Sequence, residues 1–394
     1  MSAALLLEEA QARLLALVTP LPVERVDIGS ALGRYLAEPL IARRIQPAAD
    51  LSAMDGYAVR GPDISGPWRV VGESAAGHPC ARAVGTGQAV RIATGALMPQ
   101  GADAVVMQED VARTGDIIIL IGTAPAPPGK HIRRCGGDFR QGAVLLPMGT
   151  RLGPAQLALV ISAGHNHVAV RRMPRLAIID SGDELATDAE NCDDHQIPAS
   201  NGAMLAALAA SLPCDITRLG PITDDMAAIT QTLEAAAGAD VIVTSGGASV
   251  GDHDLIRPAL AEWEAKLDFW KVAIKPGKPL MVATKSRQIV LGLPGNPVSS
   301  HVTAFLFLMP LLRALSGAAR PLAQATQHRL AAPVPAGGDR REFLRARMTD
   351  DGAEVLATQD SGALAALALA DLLIDRPAGA PPLPAGAIVP AYFI

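Results

Sequence analysis

The chain has 394 residues, 49% of them apolar, so it is too long for one hydrophobic core and too apolar for disorder; several packed domains are expected. Its net charge of −5, with no basic block, argues against nucleic acid or an anionic membrane as partner. Cys80, Cys135, Cys192 and Cys214 stand far apart without a CxxC pair, which fits reduced thiols in a cytoplasmic protein better than a zinc site or disulfide framework. No targeting segment is expected, because Glu8 and Glu9 follow Leu5–Leu7 directly. The strongest apolar run, Val302–Leu312, is about half a membrane span and contains Pro310, so no span is expected.

In chain order, Leu5–Val18 carries helical spacing that Thr19–Pro22 breaks, and a second short helix is predicted over Ile28–Leu40. From Leu51 to Gly142 short β-type runs alternate with Gly and Pro, which predicts a β-rich domain at 51–142. A helix returns after Gly153, with Pro154 at its first position, and ends near Gly164. Residues 1–50 together with 143–174 form a helical linker domain on this reading. From Arg175 strands and helices alternate. Strands are predicted at Leu176–Ile179, Ile216–Leu219, Asp240–Val243, near Met281 and near Ile289. Between them run a helix capped by Ser200 or Asn201, an alanine-rich helix capped by Thr223, and finally a long helix over Val298–Leu315. The segment 175–320 therefore reads as a doubly wound α/β/α domain, and 321–394 as a small β-barrel-like module.

The chemistry concentrates after the α/β strands, where such sheets bind ligands. The loop TSGGASVGDHD (Thr244–Asp254) lets glycine backbone N–H groups turn toward an anion, and Ser245 and Ser249 add hydroxyl donors. Asp252 and Asp254 in that loop, with Glu184 and Asp224 after the two preceding strands, form an oxygen-only set suited to Mg²⁺. Asp224 and Asp225 read equally well as helix caps. Lys271, Lys275 and Lys278 supply positive charge, the last two in the stiff KPGKP turn; solvated surface lysines are the bland alternative. GLPGNPVSS, with Pro294, Asn296, Pro297 and Ser299, opens a helix whose N-terminus offers a second anion site or merely a structural turn. His253 reads as an incidental histidine, since hard cations prefer oxygen. Asp55 and Thr94 on their own read as turn residues before Gly56 and Gly95.

Six motifs in order resemble one family: SAMDGYA (Ser52–Ala58), ATGALMPQGADAVV (Ala93–Val106), SGDEL (Ser181–Leu185), TSGGASVGD (Thr244–Asp252), KPGKP (Lys275–Pro279) and GLPGNPVS (Gly292–Ser299). They occur so in MoeA-type molybdopterin molybdenumtransferases, to which the gephyrin E domain belongs. ALGR (Ala31–Arg34) and FLR (Phe343–Arg345) extend the resemblance over essentially the whole length. It implies a transferase acting in molybdenum cofactor synthesis. Adenylylated molybdopterin and molybdate would give molybdenum-molybdopterin and AMP, with Mg²⁺ required. By the same likeness Glu184, Asp224 and Asp254 line the pterin pocket, with Ser245, Gly246 and Gly247 near phosphate. Lys275, Lys278, Ser299, Arg345 and Ser361 match positions handling molybdate. Asp55, Thr94 and Asp138 face the pterin module across a cleft between the subunits of a homodimer. A molybdopterin adenylyltransferase and apo-molybdoenzymes are the implied protein partners. The sequence departs from the family at Ser181 for Thr, at Pro47–Asp50 without the aromatic, at Gly137 for an acid and at Asp371 for Asn. An adenylyltransferase, or a non-catalytic molybdopterin-binding scaffold, is the alternative activity.

Overall fold

The structure is a computed structural model and describes residues 4–246 and 255–394. Its centre is a six-stranded sheet with strands β1 (Arg175–Ser181), β2 (Asp215–Ile222), β3 (Val241–Ser245), β4 (Lys266–Trp270), β5 (Met281–Lys285) and β6 (Gln288–Leu293), side by side as 2-1-3-6-5-4. β2, β1, β3 and β6 run parallel, while β5 pairs antiparallel with both β6 and β4. β3 is buried along its whole length, as a parallel strand covered on both faces must be.

Alternation within β1 sorts its side chains. Leu176 and Ile178 join one core with helices α1 (Leu7–Ala16), α3 (Asn201–Ala209) and α6 (Pro297–Leu315). Ala177 and Ile179 join a second core with α4 (Met226–Ala235) and α5 (Ile256–Glu262). α2 (Pro154–Ser162) lies in the linker. By length and composition α6 could cross a membrane, but 83% of it is buried, so it is a core helix. It widens into a π-helical stretch over Ala304–Leu308 just ahead of Pro310, which has no N–H to donate.

α1, grouped with the linker on sequence, packs on the central core through Leu7, Ala10 and Leu14, and Gln11 Nε2 donates to the Leu306 carbonyl at 2.8 Å. The helix predicted over Ile28–Leu40 does not form. Only a 3₁₀ turn, Ile28–Ser30, appears, its end held by the Asp27 carboxylate accepting the Ser30 N–H at 3.1 Å. Gly33 then takes a φ of +77°, and Tyr35 and Leu36 bridge to Arg151 and Val170. The strand Val23–Asp27 before it pairs with His167–Arg171. At α4 the cap is Asp225, accepting the Ala228 N–H at 3.0 Å, and not Thr223. Ser200 stands at the N-cap of α3 but makes no capping bond.

The β-rich unit hangs from this linker. Its six strands run in the order Ala104–Met107, Gly56–Val59, Gln88–Ile92, Trp68–Ser74, Ile117–Leu120 and Val111–Thr114. Chain entry and exit are zipped together, Leu51–Ser52 against Ile132–Arg133 and Leu40–Ile41 against Val144–Leu146. Asp50 locks that stalk by accepting the Cys135 N–H at 2.8 Å and pairing with Arg134 at 2.6 Å. In the C-terminal module Ile274–Lys275, Arg341–Thr349, Leu372–Arg376, Ile388–Phe393 and Thr326–Arg329 line up in one sheet, so the KPGKP turn is stitched to it. Arg341 grips Asp375 with two hydrogen bonds of 2.6 Å and also pairs with Glu8 of α1, clasping three parts of the chain.

Candidate active site

At the carboxyl ends of β1, β3 and β6 lies a cavity of about 430 Å³. Two helices start at its rim, α3 at Ser200–Asn201 and α6 at Asn296–Pro297. Neither N-cap residue caps its helix through its own side chain, although Asp180 accepts the Gly202 N–H of α3 and the Ser361 carbonyl accepts the Val298 N–H of α6. Leu185, Ile197, Pro198 and Leu364 add apolar surface to its lining.

Asn201, expected only as a cap, donates through Nδ2 to Ser245 Oγ at 2.9 Å and to the Gly295 carbonyl at 2.6 Å. It ties the end of β3 to the turn after β6 and leaves the Ser245 proton to donate. Gly246 has a φ of +99°, and a Cβ there would stand 2.7 Å from the Ser181 carbonyl, so only glycine passes. Ser181 donates its hydroxyl to Asp224 Oδ1 at 2.8 Å, and the Asp224 N–H reaches Asp183 at 3.1 Å. Glu184 lines the cavity beside them. Pro297 fills the first helical position of α6 after the Pro294–Asn296 turn. Asn296 Nδ2 donates to Ser361 Oγ at 3.0 Å, and the Val298 N–H to the Ser361 carbonyl at 3.1 Å, so the C-terminal module closes the rim.

The sequence singled out no role for Asp180, which also lines the cavity and is 3% exposed. Burial pushes its carboxyl above the usual carboxylate range, against the pull of Arg218 and of the Gly202 N–H that it accepts. Oδ1 has no hydrogen-bond partner among the described residues.

The basic residues divide. Lys275 donates to Glu342 Oε1 at 3.0 Å, and Lys271, at a φ of +86°, holds its ammonium 4.2 Å from the Trp270 ring centre. Lys278 sits in the same turn, its carbonyl accepting the Val272 N–H at 3.0 Å. Ser299 is buried in the first turn of α6. Arg345 is fully buried and donates to the Thr358 carbonyl at 3.0 Å and the Asp360 carbonyl at 2.9 Å, shaping the loop that carries Ser361.

In the β-rich unit the Asp55 carboxylate accepts the Thr94 N–H at 2.6 Å. That bond, with the Thr94 hydroxyl and Arg91 adding to it, holds Asp55 below the usual carboxylate range. The Asp138 N–H bonds to Gln46 at 3.0 Å. Among the described residues no hydrogen bond or salt bridge joins this unit to the α/β domain, so Asp55, Thr94 and Asp138 stand apart from the cavity within one chain. Gly247, Ser249, Asp252, His253 and Asp254 lie outside the described residues. No group of three metal-binding side chains comes together among those described.

Three family profiles match in succession: "MoeA N-terminal region (domain I and II)" over residues 5–164, "Probable molybdopterin binding domain" over 177–314 and "MoeA C-terminal region (domain IV)" over 327–394. A molybdopterin molybdenumtransferase of Haemophilus influenzae is 38% identical over 317 residues, 79% of this chain and 78% of that one. One of Staphylococcus aureus is 31% identical over 391 residues, 96% of this chain and 93% of the other. The crystal structure of the molybdopterin biosynthesis MoeA protein of Pyrococcus horikoshii superposes over 100% of both chains, with a TM-score of 0.85 and 28% identity. With this fold, this cavity and these relatives, the chain belongs to the MoeA family of molybdopterin molybdenumtransferases.

Proposed function

We propose that the protein transfers molybdenum from molybdate to adenylylated molybdopterin with release of AMP. The observation that carries this reading is the cavity where the Ser245 hydroxyl, the Gly246 turn and the start of α6 line one space together with apolar residues. In this assignment Asn201 orients the Ser245 hydroxyl, and Ser181 holds Asp224 at the mouth. On this reading Lys275, Lys278, Ser299 and Ser361 receive molybdate, with Lys271; none of the five lines the cavity itself. Arg345 acts there through the loop that it shapes.

The oxygen donors of Glu184 and Asp224 are of the kind that would hold Mg²⁺; Asp252 and Asp254, expected in the same set, lie outside the described residues. When bound, that cation neutralises charge between two anions that must approach each other. Asp55, Thr94 and Asp138 reach the cavity of a second protomer on this reading, so the working unit is a homodimer. The division into units at 50/51, 142/143, 174/175 and 320/321, the cytoplasmic location, and supply by an adenylyltransferase with delivery to apo-molybdoenzymes belong to the same proposal.

The test is direct. Purified protein given adenylylated molybdopterin, Mg²⁺ and molybdate should release AMP and yield cofactor that activates an apo-molybdoenzyme. AMP transfer from ATP to free molybdopterin without molybdate would make it an adenylyltransferase; binding without AMP release would make it a scaffold.

A further inference from the structure

We infer that Asp180 reads the heterocycle of the ligand, its carboxyl accepting N–H groups from the amino-pyrimidinone edge of the pterin. This rests on the cavity being the pterin site proposed above.

A buried carboxyl with an idle oxygen costs stability unless something uses it. Asp180 is 3% exposed at the cavity floor, and Oδ1 has no partner among the described residues. The other side of the carboxyl is backed by α3 so closely that a Cβ on Gly202 would lie 2.0 Å from Oδ2, and the Gly202 N–H donates to the group. Asp180 therefore occupies the α3 N-terminus, and phosphate is left to the Ser245 hydroxyl and the α6 end of the cavity. No cation forms a salt bridge with it among the described residues, although Arg218 exerts a longer-range pull. A carboxyl beside a phosphate subsite would repel a second anion, whereas adjacent ring N–H and amino groups match its lone pairs. Leu185, Ile197, Pro198 and Leu364 add apolar surface to the same cavity for the ring. Burial holds Asp180 above the usual carboxylate range, and N–H donors from a ring would pull it back down.

Asp180→Asn keeps an amide oxygen for the Gly202 N–H but turns a donor toward the ring. Asp180→Ser removes the carboxyl while keeping a small hydroxyl, and Ser245→Ala serves as a control on the cavity itself. Molybdopterin binding is read by quenching of tryptophan fluorescence, and folding by thermal melting. Both Asp180 variants should bind molybdopterin about tenfold more weakly, the scale of one good hydrogen bond, with melting temperatures equal to or above wild type. Inorganic phosphate should compete equally well in wild type and both Asp180 variants, and less well in Ser245→Ala. Asp180 variants within twofold of wild type, with Ser245→Ala weakened, would overturn the role of Asp180 alone. If Ser245→Ala is unchanged as well, the cavity is not the pterin site and the proposed function itself fails.

Discussion

His301 shows how one buried residue can make stability depend on pH. It sits in the first turns of α6, its Nδ1 is buried without a partner among the described residues, and burial lowers its pKa from the ordinary 6.5 to about 4. Between those values the unfolded chain binds a proton that the folded chain refuses. Stability therefore falls as pH drops from about 6.5 to about 4, by an amount on the order of 3 kcal/mol at most. His301→Gln should flatten that part of a plot of denaturation midpoint against pH; an unchanged slope would place the effect elsewhere. Residue roles were only partly legible in the sequence. The Ser245–Gly246 turn and Glu184 were marked by glycine spacing and by their place after strands, and they line the cavity. Asp180 and Asn201 carried no such mark, because a strand-end acid and a cap-type asparagine look alike whatever they bond to. Arg345 divides: Nη2 donates to two carbonyls, while Nε and Nη1 are buried without a partner among the described residues.

At the scale of elements, buried parallel strands announced themselves as short apolar runs, and β1, β3 and β6 stand where those runs are. Four-residue spacing misled at Ile28–Leu40, since Leu36 and Leu40 do reach a core but from extended chain beyond Gly33. β4 and α5 gave no comparable signal: β4 is half exposed and α5 has only 7 residues. The turn after β3 is the element on which the site depends most. Gly246→Ala would set a Cβ against the Ser181 carbonyl and force a φ of +99° on an L side chain. The expected cost is about 1–3 kcal/mol in denaturant titration, together with loss of ligand binding. A variant as stable and as tight as wild type would mean that the turn relaxes without harm.

For the whole molecule, the central question is which chain completes which cavity. If Asp55 of one protomer serves the cavity of another, Asp55→Asn and Asp224→Asn should each lower turnover by roughly tenfold or more as pure dimers. Co-refolded in equal amounts, they should recover about a quarter of wild-type activity, because half the dimers are mixed and each of those keeps one undamaged site. No recovery would mean that each chain builds its site alone. The zipped stalk has a consequence for how the protein is made. Val23–Asp27 finds its partner His167–Arg171 only after roughly 140 more residues have left the ribosome, a wait of about 7–30 seconds at ordinary translation speed. All six strands of the pendant sheet are synthesised within that interval, so every edge of that inner lobe is available for pairing before the outer strands that carry it can meet.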